Sequence, residues 1–579
     1  MRKLLALLLS VLMLFSAVSL ASAEDALTEY PREETMYLFM GMGALPSTLN
    51  PLVAGESGWP TGTAIQLLLY ETPFMMNMLT GELEPLVCDS YEVNEDNSIT
   101  VKVNEKAHFN DGTPLTAHDV VYSYELGNKY DINWTAYWTN IDHIELVDDY
   151  TFTIYQKEDA VNTPNVLDSL QIVSVLPSAI WTEIEEDAGY DIMKIREFLN
   201  LEDPVASGCY KIHNITETGV YMIRDDNYWG VERFGKLPAP KYLANLIYKS
   251  NDLLATAFEN NEVDFAQAFI PAIDEMMERN PAIGTYLSES PYHVEGGMVT
   301  AVFNMTVPGL DNVDVRRAIA YAINYDMVGQ LAMSGYTKEV VPILALTNGV
   351  EDKYVDIESL QDMFWSYDID KANEILDGIG AERGADGIRV LPDGTRLSFT
   401  IQSGYGWTDW NAAAEVISQS VRDAGIEIIC EMPESAVFMS NRQTGDFQIT
   451  LNIPGENPRP SQPWYRYRDV LSSEFLAPIG EIAFGNLGRY ENEEVTALIN
   501  ELPGATEEED LIRLHTEINR IYLEDIPVIP IMYRPFQFYE FNTTYWTGFP
   551  TADNGSDVPP MLDRGAGLRT FFEVEPAGN

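Results

Sequence analysis

Apolar and polar positions alternate along this chain with two different periods. "SITVKVN" (98–104) alternates every second residue after the turn "NEDN", and "DDYTFTIYQ" (148–156) does the same. Both predict half-buried strands. "RVLPDGTRLSFTI" (389–401) sets two such runs around Pro-Asp-Gly and predicts a hairpin. Helical runs have readable ends. Thr116 and Asp119 form an acidic capping box ahead of "AHDVVYSYELG", with Gly127 as the stop. Asp311 or Asp314 can start one helix, "VRRAIAYAINYDMVGQLAM". In "WNAAAEVISQSVRDAG", Ala413, Ile417, Ser420, Val421 and Ala424 share a face, and Gly425 suits the position after the last turn. "IEIIC" then predicts a buried strand. "EEDLIRLHTEINRIYLEDIP" gathers Leu511, Leu514, Ile518 and Ile521 before Pro527 stops it, and "VIPIMY" (528–533) is the next strand. Strands alternating with helices predict α/β domains. No short-period repeat or low-complexity segment interrupts them.

The first residues follow another logic. "MRK" is a short positive start, "LLALLLSVLMLFSAVSL" an apolar run, and "ASA" at Ala21 to Ala23 a small-residue cleavage site. They predict a signal peptide over 1–23, with mature protein from Glu24; an uncleaved anchor is the competing reading. No cysteine follows the run to carry a lipid. No other stretch approaches the ~18 apolar residues of a membrane span. Export to a periplasm or cell surface is expected. The 579 residues, 46% hydrophobic, supply more than one core.

Charge narrows the partners. With 90 Asp+Glu against 35 Lys+Arg the net charge is −55, which excludes nucleic acid and anionic lipid as partners. The acids are spread along the chain and read as a solvated, self-repelling surface. Cys88, Cys209 and Cys430 have apolar or strand-like neighbours and read as small buried residues, with one disulfide as the alternative. The six histidines are scattered, without metal-ligand spacing, so neither a metal nor a cofactor is expected.

Several segments, in order, resemble the family 5 extracellular solute-binding proteins, the oligopeptide and dipeptide receptors of ABC importers. "HFNDGTPLTAHDVVYSYEL" resembles the family's F-x-D-G-x-P-hydrophobic-T-A-x-D-V segment. "SGCYKIHN" with "IRDDNYWG" is similar to its G-x-Y and Y-W pair, and "FENNEVDFAQ" to its G-E-hydrophobic-D turn. "FNMTVPGLDNVDVRRAIAYAINYDMV", "YDIDKANEILDGIG" and "YLEDIPVIPIMY" resemble three further motifs. The resemblance spans nearly the whole mature chain. It implies an α/β two-lobe binding-protein fold with a subdomain inserted in lobe I. Lobe I would be 24–80, 205–300 and 530–579, the insertion 81–204, and lobe II 301–529. It also implies a non-catalytic monomer that captures a small-molecule ligand between its lobes and delivers it to ABC permease subunits.

The ligand is where the chain departs from the peptide receptors. Their W-x-x-D-Y-x-D-P segment, whose first Asp pairs with the peptide ammonium, is replaced here by "DFQITLNIPGENPRPSQPWYRYRD" (446–469). Glu456 and Asn457 stand near that place, and a buried ammonium needs a carboxylate. "GWTDWNAAAEVI", "NPRPSQPWYRY" with Trp464, and "YWTGFPTADN" with Trp546 resemble the family's oligosaccharide-binding branch. Sugars offer flat C–H faces for aromatic rings and hydroxyl rims for polar side chains. Trp407, Asp409, Trp410 and Asn411 supply both kinds within five residues. Trp59, Trp134 and Trp138 are further rings in loop-like contexts. Each ring has a plainer alternative, plugging the edge of a lobe core. Trp365 reads as core, Trp229 as a structural family position, and Arg316 and Arg317 as surface or interlobe charges. An oligosaccharide is the first expectation and an oligopeptide the second. A secreted glycosidase and a structural cell-surface protein are the competing classes.

Overall fold

Two sheets gather most of the strand-forming runs. The computed structural model describes residues 30–40, 45–53, 66–248, 251–347, 351–455, 464–483, 485–505, 507–535, 538–562 and 565–578. The expected signal peptide, Trp59, Glu456 and Asn457 lie outside them. In chain order the strands of the two sheets are β1 (Thr35–Phe39), β2 (Tyr210–Thr216), β3 (Gly219–Arg224), β4 (Tyr242–Leu246), β5 (Phe265–Ala266), β6 (Ile283–Thr285), β7 (Glu295–Phe303), β8 (Ser398–Gln402), β9 (Glu427–Glu431), β10 (Ile449–Asn452), β11 (Val528–Pro535) and β12 (Glu540–Asn542). The first sheet has the order β6-β12-β5-β1-β4-β3-β2 and the second β9-β8-β10-β7-β11. A separate four-stranded sheet covers Cys88–Val93, Ile99–Val103, Ile141–Asp148 and Thr151–Gln156.

One buried cluster joins the first sheet to the four-stranded one, with Leu38, Leu243 and Phe265 beside Ile99, Val101 and Phe152. A second cluster runs through the other sheet and its helices, with Val299, Phe399, Ile401, Leu451, Ile529 and Ile417. This cluster also takes in Phe39 and Ala266 of the first sheet, so the two lobes are marked by their sheets and not by separate cores. The chain passes between them after β6, before β7, and again between β11 and β12. Strands β7 and β11 straddle the expected boundaries at 301 and 530 and pair with each other inside the second sheet.

Local signals explain several elements. Helix α1 (Ala117–Lys129) has the capping box of Thr116 and Asp119. It runs past Gly127, however. That residue is glycine because the Trp134 ring lies against it, where a Cβ would come within 2.4 Å of Cδ1. Helix α2 (Thr408–Ser420) continues as a tighter turn over Val421–Ala424 and stops at Gly425, whose φ of 82° suits glycine. The run from 313 forms two helices, Val313–Ala322 and Tyr325–Ala332, because Asn312 and then Asn324 cap new starts. The Pro-Asp-Gly turn closes with Leu391 N–H on the Thr395 carbonyl. Its second run then leaves to become β8, so no full hairpin forms; Arg389–Val390 pairs with Glu382–Arg383 instead. Strand β9 is an edge strand with Ile429 52% exposed, rather than buried. Arg316 is not a surface charge: buried, it donates to the carbonyls of Leu310, Asp525 and Ile526 and ties helix ends together. The three cysteines are free.

One core residue makes stability depend on pH. Glu71 is fully buried and accepts from the Tyr228 hydroxyl (2.5 Å) and the Trp229 indole (2.8 Å). Burial pushes its carboxyl up to about 7, against the pull of these donors. The folded state therefore holds a proton that the unfolded chain has released. That contribution is complete below the ordinary value of 4.5 and is lost as pH rises through about 7. Glu71→Gln, neutral throughout, should remove a slope of about 1.4 kcal/mol per pH unit across this window. Unfolding curves of both proteins near the two ends of the window check it; parallel stability profiles would show that Glu71 does not titrate there.

Candidate functional site

In open α/β sheets the crevice for ligands lies beyond the carboxyl ends of parallel strands, where successive connections leave to opposite sides. Each lobe has such a point. In the first sheet β1 lies between parallel neighbours β4 and β5. In the second, β8 lies between parallel neighbours β9 and β10. The carboxyl end of β8 is Gln402, and "SGYGWTDW" follows it directly. The same edges send the chain across. Glu540, first in β12, pairs with Ala266 at the end of β5. Glu295 and Pro535 face each other where β7 begins and β11 ends. Both switch points therefore open toward the crossovers.

At this edge of the second lobe, Trp407, Trp410 and Phe438 form an edge-to-face group. Trp407 stands 4.9 Å from Trp410 and 5.4 Å from Phe438, at 88° and 84°. Trp410 is buried in the lobe core, 5% exposed, while Trp407 is half-buried at its rim. Asp409 lies in the first turn of α2, where a carboxylate suits the helix dipole. Its Oδ2 accepts from Arg534 Nε at 2.9 Å, joining α2 to the strand that leads out of the lobe. Asn411 accepts from the Ser403 hydroxyl.

A second concavity, of about 230 Å³, has walls from both lobes. Leu83, Tyr91, Leu167 and Asp168 come from the first body, and Trp464 and Tyr465 from the start of helix α3 (Trp464–Leu471). The two rings meet edge to face at 4.7 Å, and the Arg468 guanidinium lies over both. The Trp464 indole donates to the Ile499 carbonyl. Asp168 accepts from Tyr137 and Gln171, so its oxygens are engaged within the first body.

Between the lobes, His293 from one crossover lies beside Glu540 from the other. His293 Nε2 is 3.3 Å from Glu540 Oε1, with both side chains fully buried. Phe538 and Tyr539 set their rings edge-on to the imidazole, and the Tyr539 hydroxyl accepts from Val294 N–H. Burial lowers His293 to about 3 and pushes Glu540 well above the carboxylate range, so the pair is held without net charge.

Three expected ligand rings are core residues instead. Trp134 is 1% exposed and donates to the Ser123 carbonyl; Trp138 donates to Tyr124 and Trp546 to Thr35, both buried. An indole whose N–H is satisfied by backbone inside a core has no face left for a ligand. Sequence reasoning singled out neither Tyr465, Arg534 nor Glu295. Tyr465 adjoins Trp464, and that adjacency was its only local signal. Arg534 and Glu295 acquire their places only from pairing between β7 and β11. Among the described residues no cluster of metal-type ligands occurs and no helix is long and apolar enough to cross a membrane.

Comparison with known proteins agrees with this layout. The family described as bacterial extracellular solute-binding proteins, family 5 Middle, matches residues 82–473. A probable peptide-binding protein, YejA of Agrobacterium fabrum, is 23% identical over 562 residues, covering 87% of each chain. Among solved structures, a mannohexaose-bound periplasmic oligopeptide-binding protein of an ABC transporter from Thermotoga maritima superposes with a TM-score of 0.82 at 25% identity, over 95% of this chain and all of that one. The nonapeptide-bound AppA of Bacillus subtilis shares the fold, with a TM-score of 0.70 at 17% identity over 94% and 99% of the two chains.

Proposed function

The chain belongs to the bacterial extracellular solute-binding proteins of family 5, and from that premise we propose that it captures an oligosaccharide between its lobes, closes, and hands it to the permease. Membership makes it a substrate-binding protein of an ABC transporter that works outside the cytoplasm. The family is one of solute capture rather than catalysis, so the reading carries no reaction step. Residues 1–23 serve as the export signal, and the protein acts as a monomer without a cofactor.

The observation that carries the sugar reading is the concavity walled by Trp464, Tyr465 and Tyr91 from opposite lobes. At about 230 Å³ it is smaller than the ~300–1,000 Å³ of whole ligand sites, the size of one subsite along an extended ligand. Trp407, half-buried at the switch point of the second lobe, offers another ring. The mannohexaose complex of the Thermotoga relative supports the same class. An oligopeptide is the second reading, favoured by the naming of the Agrobacterium relative, with Glu456 as the carboxylate for its ammonium.

A thermal-unfolding screen separates them. Mannohexaose and cello-oligosaccharides beside di- to pentapeptides are the probes. A ligand at ~100 times its dissociation constant adds about 2.7 kcal/mol of stability. The expected result is a clear upward shift with a sugar and none with peptides; a shift with peptides alone would replace the sugar reading by the peptide one.

A further inference from the structure

On the facing edges of the two lobes stand a buried amide without a hydrogen-bond partner and a buried carboxylate that meets only a long ion pair to a solvated lysine. Gln267 follows β5 at its carboxyl end, beside β1. Its backbone N–H donates to the Phe39 carbonyl at 2.7 Å, so the pairing with β1 reaches this residue. The side chain is 7% exposed, and neither Oε1 nor Nε2 has a hydrogen-bond partner. A nearby amide behaves differently. Asn245 near the end of β4 is fully buried, and its Oδ1 accepts from the N–H of Met40, the residue after β1. One amide of this edge thus serves the chain itself, and the other serves nothing in it. In the second lobe, Glu295 opens β7, also 7% exposed, and neither carboxylate oxygen has a directed hydrogen bond. Its nearest cation, Lys338 Nζ, is 3.5 Å away and largely solvated. A buried polar group left without a hydrogen bond destabilises the free protein, because it has given up water for nothing in return.

Resting on the capture reading above, we propose that Gln267 and Glu295 are ligand-binding residues, one from each lobe, that hydrogen-bond the hydroxyls of the bound oligosaccharide. Each lobe then contributes at its switch point a buried group with hydrogen-bonding capacity left for ligand. Gln267 offers two donors and an acceptor, which a hydroxyl can match because it both donates and accepts. Glu295 as a carboxylate accepts hydrogen bonds from hydroxyls. Burial raises the Glu295 carboxyl, and Lys338 restrains that rise. A peptide amide group offers similar donors and acceptors, so the experiment carries a peptide arm.

Gln267→Leu and Glu295→Gln test the assignment, because a ligand contact and a structural bond predict opposite stability changes. Removing an unsatisfied buried amide in favour of an apolar side chain of similar size leaves the free protein as stable as before or more so. Each variant and the wild type are melted without ligand, then titrated with mannohexaose and with tetra-alanine. The expected result is unchanged or raised melting of both variants and mannohexaose binding weakened about tenfold or more. Gln267→Leu melting several degrees lower would overturn the assignment, since the amide would then be bonding within the protein, directly or through water. Binding equal to wild type in both variants would overturn it as well. If the wild type takes tetra-alanine and not mannohexaose, the sugar reading falls, and weakened peptide binding in the variants still upholds the two contacts.

Discussion

Glu351→Ala should lower the stability of the second lobe by about 3–5 kcal/mol, among the largest single-residue effects in the molecule. Glu351 and Arg466 are both buried, with side chains 1% and 4% exposed, and they meet through two hydrogen bonds of 2.6 and 3.2 Å. Glu351 also accepts from Leu346 N–H, and Arg466 donates to the Leu344 carbonyl. The pair thereby clamps helix α3 to Leu344, Leu346 and Glu351. Truncating the carboxylate leaves a guanidinium in the core without its counter-charge, which costs far more than the pair contributes over an apolar substitute. The consequence reaches the site. Helix α3 begins with Trp464 and Tyr465, so loosening its anchor should also weaken ligand binding. Chemical denaturation with a parallel ligand titration measures both. A loss below ~1 kcal/mol would mean that Arg466 finds water or another acceptor.

Trp410→Ala and Trp407→Ala should part company, although the residues are three apart and their rings touch. Trp410 is a core ring, and its removal should cost about 3–5 kcal/mol of stability while folded molecules bind ligand nearly as before. Trp407 packs on Trp410, Phe438 and Gly404 and is half-buried, so part of its ring is left exposed. Its removal should cost less stability and weaken binding about 5- to 150-fold, the loss of roughly 1–3 kcal/mol of apolar contact. Melting and titration on the two variants give four numbers. The reverse assignment, with Trp407 destabilising and Trp410 binding-defective, would mean that the ligand enters from the other side of α2.

What the sequence made legible follows from where the information sits. Helix ends were readable because caps are local: Thr116 with Asp119 and Gly425 behaved as their types require. The hairpin at 389–401 misled, since the turn formed but strand partners are chosen by the sheet, and parallel pairing of β8 prevailed. Isolated tryptophans misled for a related reason. Trp134, Trp138 and Trp546 lie in loop-like sequence, yet their N–H groups meet carbonyls of Ser123, Tyr124 and Thr35, the last more than five hundred residues away. No local pattern encodes such a partner. The switch points are legible only after strand order is known, because they depend on which neighbours flank β1 and β8. Gln267 closes the family-like segment "FENNEVDFAQ" without being one of its signature positions, and Glu295 lies in none of the quoted motifs. They stand out by position: among the buried groups without hydrogen bonds, these two lie at the facing edges of the two sheets.

Hydrogen exchange with and without saturating mannohexaose tests the central claim, that one ligand is held by the switch points of both lobes at once. The account predicts new protection in the same sample over 266–270 in the first lobe and over 402–411 in the second, with the outer faces of both lobes unchanged. Demonstrated binding with protection confined to a single lobe, or to neither edge, would contradict it.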